Sequence, residues 1–184
     1  MPYSMKFTIW EIKTMDKVFI EENGVFQIDC TRALWATNEV HDIYKEIDNR
    51  LADVDFVIET DGKLLLVEYK NANIAGASNP EAFNPNSDNK VNNIIRKFYD
   101  TLHYLTLKDK LKPKDFIYVL EYPKGDKVSR GLLRNRLQKF LPFRLQNKFS
   151  NIRLIEKLEV LSIEEWNEHS EYGEYPLSAV VANK

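Results

Sequence analysis

A single cysteine, Cys30, stands among the 184 residues. That excludes an intrachain disulfide and a cysteine-ligated zinc cluster, and it suits a reducing, cytoplasmic setting. Histidine is nearly as scarce. His41, His103 and His169 are scattered without ligand spacing, so each reads as a surface or hydrogen-bonded ring. No apolar run approaches a membrane span, and Met1 to Trp10 lacks a signal-peptide pattern. An excess of positive charge is also missing. Lys and Arg total 26 against 28 Asp and Glu, for a net charge of −2, which argues against a uniformly basic nucleic-acid binder and makes local distribution decisive. Internal repeats, low-complexity segments and a domain linker are absent as well. The remainder, 43% hydrophobic and 29% charged, is the composition of one globular domain over residues 1–184 with a substantial core.

The most informative stretch runs from Asp53 to Lys70. It reads as two strands joined by a tight turn at Asp61-Gly62. The returning strand, Leu64-Leu65-Leu66-Val67, is apolar at every position, as in a central strand buried on both faces. It runs into Glu68-Tyr69-Lys70, where alternation puts Glu68 and Lys70 on one side and Tyr69 on the other. Asp55 opens the partner strand, so the hairpin brings Asp55 beside Glu68. Two converging carboxylates form a hard oxygen site suited to Mg²⁺ or Mn²⁺. A lysine beside such a site can orient an attacking water and stabilise charge developing on a phosphate.

An acid followed two residues later by lysine is expected roughly once by chance in a chain of this length. Here the pattern also occurs at Glu11-Ile12-Lys13, Asp61-Gly62-Lys63 and Asp88-Asn89-Lys90. Only Glu68-Tyr69-Lys70 closes a buried-looking strand with an acid-led partner strand before it. The competing reading is a surface hairpin whose Glu68 and Lys70 form a solvated ion pair.

Asp, a β-turn spacer, then Glu-x-Lys resembles the signature of the PD-(D/E)XK nucleases, the restriction-endonuclease-like superfamily. Val54 stands where that family has its proline. The resemblance implies an α/β fold with a mixed central sheet of about four to six strands flanked by helices. It implies that Asp55, Glu68 and Lys70 are catalytic, and that Asp55, Glu68 and the Tyr69 carbonyl hold Mg²⁺ or Mn²⁺. The family core runs helix, three strands, helix, strand, with an extra glutamate often on the first helix. A helix from Glu39 to Arg50, capped by Asn38, offers Glu39 or Glu46 for that part. Its apolar face would be Val40, Ile43, Tyr44, Ile47 and Leu51. No room for a full strand remains between this helix and Asp55, so either the first strand comes from the N-terminal region or the helix is shorter.

Alternation suggests strands at Met5–Ile12, Asp16–Ile20 and Val25–Ile28. Beyond Lys70, an Asn-, Pro- and Ser-rich loop reaches Asn89 and is placed to wall a substrate cleft or to be a tolerated insertion. A helix from Asn89 to Leu105 follows, with Val91, Ile94, Ile95, Phe98, Leu102 and Leu105 as its stripe. Asn93 and Lys97 share one side of it as polar neighbours of the site. Lys114–Tyr122 is a strand and Lys127–Leu141 a helix ending at Pro142. Arg153–Ile155 and Leu158–Leu161 are strand-like. Ser162-x-x-Glu165 has capping-box spacing.

From Lys124 to Lys148 the charge is basic apart from Asp126. Lys127, Arg130 and Arg134 fall on one helical face away from Leu133, Leu137 and Phe140, a surface suited to phosphate contacts or simply to solvation. Taken together, the residues and the resemblance lead us to expect a metal-dependent nuclease acting on nucleic acid, DNA ahead of RNA, with no membrane partner and a homodimer left open. The alternative is a non-catalytic nucleic-acid-binding or partner-binding protein on the same fold.

Overall fold

A computed structural model of the chain describes residues 17–47, 50–77, 79–149 and 153–181. The strands are β1 (Val18–Ile20), β2 (Phe26–Asp29), β3 (Trp35–Thr37), β4 (Phe56–Glu59), β5 (Leu64–Asn71), β6 (Lys114–Glu121), β7 (Lys157–Leu161) and β8 (Leu177–Ala179). The helices are α1 (Val40–Ile47), α2 (Asp88–Leu107), α3 (Lys127–Gln138), α4 (Phe143–Gln146) and α5 (Ile163–Glu168). The strand expected at Met5–Ile12 lies outside the described residues.

The central sheet has the order β3-β4-β5-β6-β7. β4 is antiparallel to both β3 and β5, while β6 is parallel to both β5 and β7. β1, β2 and β8 form a separate antiparallel sheet. The fold is therefore α/β, with a mixed five-stranded sheet flanked by helices. β5 lies in the middle, and Leu64, Leu65, Leu66 and Val67 are all fully buried, as an all-apolar strand between two layers should be. Leu64 and Leu66 join Phe98 of α2, Val40 of α1 and Leu133 of α3 in one core. Leu65, Val67 and Tyr69 pack on the other side, against Ile28 of β2, Trp166 of α5 and Tyr172. Glu68 continues the Leu64–Leu66 side and so faces α2.

The first strand of the central sheet, β3, comes from the region N-terminal to α1, one of the two arrangements expected from the shortage of room ahead of Asp55. Several other elements depart from expectation. Within the described residues α1 covers Val40–Ile47, and Ile47, expected on the apolar face, is 76% exposed. Phe140 lies beyond the end of α3 and is 53% exposed. Arg153–Ile155 forms no strand. Instead the buried Gln146 accepts from the Leu154 and Ile155 N–H groups and donates to the Ile155 carbonyl. The capping box is formed as expected: Ser162 Oγ accepts from Glu165 N–H, and the Glu165 carboxylate accepts from Ser162 N–H. Among the described residues no helix is long and apolar enough to cross a membrane.

Candidate functional site

The β4–β5 ladder pairs Phe56 with Val67, so one step outward Asp55 stands opposite Glu68. Asp55 does more than face its partner. Its Oδ2 accepts the Tyr69 N–H at 2.7 Å, a side chain extending the ladder after the backbone of β4 has turned away. The Val54 N–H, which would otherwise be the ladder partner of the Tyr69 carbonyl, donates to Thr101 Oγ1 of α2 at 3.2 Å. Odd-numbered residues of β5 direct both N–H and C=O toward β4, which leaves that carbonyl facing the site without a ladder partner.

The lysine that meets the carboxylates is Lys97 of α2. Its Nζ donates to Glu68 Oε1 at 2.9 Å and Oε2 at 2.8 Å, and lies 3.9 Å from Asp55 Oδ1. Two carboxylates thus share one ammonium. Burial, reinforced by the charge of Asp55, pushes the Glu68 carboxyl up to about 8 despite Lys97. Partial burial also raises Asp55, against the opposing pull of Lys97 and the Tyr69 N–H. Burial works against the charged form of Lys97, yet Glu68 and Asp55 outweigh it and hold its pKa above the ordinary lysine value. All three directions follow from an excess of negative charge in a desolvated place.

A cavity of about 170 Å³ opens over this trio, with Lys70, Asn71, Phe83 and Lys90 on its walls. Lys70 is exposed at this mouth and makes no ion pair among the described residues, so the structure brings together Asp55, Glu68 and Lys97, with Lys70 on the rim. The Tyr69 side chain points away and packs at a tilt against the Phe26 ring. Of the polar positions on α2, Asn93 and Lys97 both line the cavity. Phe83 gives the long loop a share of the wall, and Asn71, the last residue of β5, adds to it. Glu39 and Glu46 are exposed and line neither this cavity nor the larger one beside it. Glu21 does reach the wall, but it is engaged in the β1–β2 turn, where its carboxylate accepts from the Asn23, Val25 and Phe26 N–H groups.

The donor set can be tested against a divalent ion. Glu68, the free Oδ1 of Asp55 and the unpartnered Tyr69 carbonyl are all hard oxygens, the chemistry Mg²⁺ and Mn²⁺ prefer, and Mg²⁺ normally keeps several waters as well. No group of three or more His, Cys, Asp or Glu converges among the described residues. An ion must therefore be held by two carboxylates, and Lys97 must release at least one Glu68 oxygen. On those terms the residues fit.

The α3 surface differs from expectation at one residue. Arg130 is buried, with Nε and Nη2 at 3.1 and 2.9 Å from Glu165 Oε2 and Nη1 at 3.0 Å from the Gly125 carbonyl. It joins α3 to α5 and is not open to a phosphate. Lys127 is exposed, and Arg134 is 44% exposed, with a loose 3.9 Å contact to Glu159 and a 3.4 Å hydrogen bond to Asn135 Oδ1. The cations that do border the site are Lys70, Lys90, Arg96 and Lys97.

Two further groups escaped sequence reasoning. Asp53 is buried beside the site, and its Oδ1 lies 3.2 Å from His41 Nδ1. The two-residue spacing of Asp53 and Asp55 was a usable signal for the first; nothing in the spacing of His41 marked the second. Compared with family models, curated proteins and solved structures, the chain matches none of them.

Proposed function

We propose that this protein is a metal-dependent phosphodiesterase acting on nucleic acid, with DNA ahead of RNA as substrate. The observation that carries the reading is the convergence of Asp55 and Glu68 from adjacent strands on an open cavity, with one ammonium between two carboxylates. A buried surplus of negative charge favours a bound cation. The sheet adds support and one departure: β3, β4 and β5 are antiparallel neighbours and β6 returns parallel to β5 after α2, with the aspartate ahead of β4 and Glu-x-Lys near the end of β5, but α1 stands between β3 and β4 where the PD-(D/E)XK core has its helix ahead of all three strands.

In this reading Asp55, Glu68 and the Tyr69 carbonyl hold Mg²⁺ or Mn²⁺. The ion would supply positive charge to the phosphate oxygens as the P–O bond breaks. Lys70, on the rim, orients the water for in-line attack. Lys97 steadies Glu68 and remains beside the phosphate as a second ammonium. Lys90 and Arg96 flank the bound strand. A second reading, a nucleic-acid-binding protein without catalysis, is favoured by one observation: Lys97 already occupies both oxygens of Glu68.

Mn²⁺ calorimetry together with cleavage of plasmid, single-stranded DNA and RNA tests the proposal. Asp55→Asn is expected to lose Mn²⁺ binding and at least about 10³-fold in cleavage rate. Lys70→Ala should lose cleavage and keep Mn²⁺ binding. Lys97→Ala should bind Mn²⁺ more tightly, because a competing ammonium is gone. A wild-type protein that binds no Mn²⁺ and cuts none of the three substrates would leave the binding reading in its place.

A further inference from the structure

Beside the first cavity lies a second, of about 410 Å³, lined on its far side by His41, Asp53 and Arg96. The two share Glu21, Glu22, Asp55, Asn93 and Lys97, so they adjoin along one groove beside the Asp55 and Glu68 carboxylates. A strand whose scissile phosphate sits at Asp55 and Glu68 must extend both ways along it. The second cavity is large enough for a nucleotide-sized group.

His41 is built into this wall. Its side chain is 66% exposed, whereas that of Asp53 is 9% exposed. Asp53 is also held firmly. On one side of it the Ala52 N–H donates to Asp100 Oδ2 at 2.9 Å, and on the other the Val54 N–H donates to Thr101 Oγ1 at 3.2 Å. The helix that carries His41 is pinned to the same place, because the Tyr44 hydroxyl donates to the Asp100 carbonyl. Both partners are therefore referenced to α2, the helix that presents Lys97 and Asn93. With Nδ1 facing Asp53, the Nε2 edge is left for a ligand, and it has no partner among the described residues. A carboxylate behind Nδ1 fixes the ring's orientation.

We propose that His41 is the general acid of this site, with Asp53 as its positioning residue; the inference rests on the phosphodiesterase reading above. As the oxygen of water attacks phosphorus, the P–O bond on the second-cavity side breaks and its electron pair passes to the departing oxygen. That oxygen takes the proton from His41 Nε2. The attacking water releases a proton to solvent, and neutral His41 is reprotonated from solvent. The products are a phosphomonoester and an alcohol.

Leaving-group dependence tests this directly. An alkoxide departing from DNA needs a proton, whereas p-nitrophenolate departs without one. Wild type, His41→Gln and Asp53→Asn are compared with Mn²⁺ on a DNA oligonucleotide and on the p-nitrophenyl esters of thymidine 3′- and 5′-phosphate. His41→Gln should slow DNA cleavage about 10²-fold or more and change the better-cleaved ester by less than about threefold, with Mn²⁺ affinity unchanged. Asp53→Asn should repeat the pattern at about tenfold. Equal losses on DNA and ester, no loss on DNA, or lost Mn²⁺ binding in His41→Gln would overturn the assignment while leaving the phosphodiesterase standing. A wild-type protein that cleaves neither kind of substrate removes both.

Discussion

β4 carries an acidic cluster at each end, and the two are built to opposite rules. At one end a single carboxylate, Glu59, accepts from two ammonium groups, Lys110 at 2.5 Å and Lys112 at 3.0 Å. Burial tends to raise its pKa, but the two lysines outweigh that and hold it below the ordinary value. At the other end two carboxylates share Lys97, and both are raised. Asp55 stands just ahead of β4 and Glu59 at its end, four residues apart, and each faces lysine from beyond the hairpin, so the presence of a cation is not the difference. The count of cations is. A surplus of lysine makes a closed ion cluster that serves the fold, and a surplus of carboxylate leaves negative charge that one lysine only partly balances.

The sharpest way to break this comparison is to measure Mn²⁺ affinity against pH. A proton on Glu68 competes with the ion, and that carboxyl is held up to about 8. Affinity should rise about tenfold per pH unit, about 100-fold in all from pH 6 to 8, and then level off. A flat profile would mean that Glu68 is not the acid being vacated.

Melting temperatures give a smaller effect with opposite signs at the two ends. Glu59→Gln at pH 7 should cost about 1–2 kcal/mol, a fall of about 3–6 °C for a chain of this size. The depressed pKa means that this contribution is present above the unfolded value, 4.5, and lost on acidification. Glu68 runs the other way: its contribution is full below 4.5 and lost as pH rises through about 8. Glu68→Gln cannot ionise, and Lys97 keeps Asp55 as a partner, so by pH 9 the variant should melt no lower than wild type. Scanning calorimetry at pH 5, 7 and 9 reads both. The smallest effect belongs to cations outside either cluster. Lys127→Ala with Arg134→Ala should lower nucleic-acid affinity by no more than about tenfold and flatten its salt dependence by about one log–log unit per lost phosphate contact. Unchanged affinity at low salt would reduce that helix face to a solvated surface.

What could be read from the sequence follows the range over which each feature is determined. The all-apolar run Leu64–Val67 announced a strand buried on both faces, and the turn at Asp61-Gly62 announced its partner. Those two facts were enough to place Asp55 beside Glu68. The Ser162–Glu165 capping box is equally local. Lys97 was visible only as one polar position among several, because its meeting with Glu68 depends on how α2 is rotated over the sheet. Arg130 looked like its exposed neighbours until the fold brought Glu165 to it from 35 residues away. β3 and β8, three residues each, have too little pattern of their own and exist because a longer strand offers them an edge. His41 needed Asp53, 12 residues on, and a solvent-facing histidine carries no periodic mark.

The Arg130–Glu165 contact has a consequence for how the molecule comes apart. α3 contributes Leu133 and Leu137 to the core on one side of the sheet, and α5 contributes Trp166 to the core on the other. A guanidinium only 8% exposed clasps them together, and the same Glu165 carboxylate also closes the cap of α5. Loosening α3 would strand a desolvated charge and uncap a helix in the opposite layer at one stroke. Such a clasp is a mechanical interlock, through which opening on one side of the sheet is felt on the other.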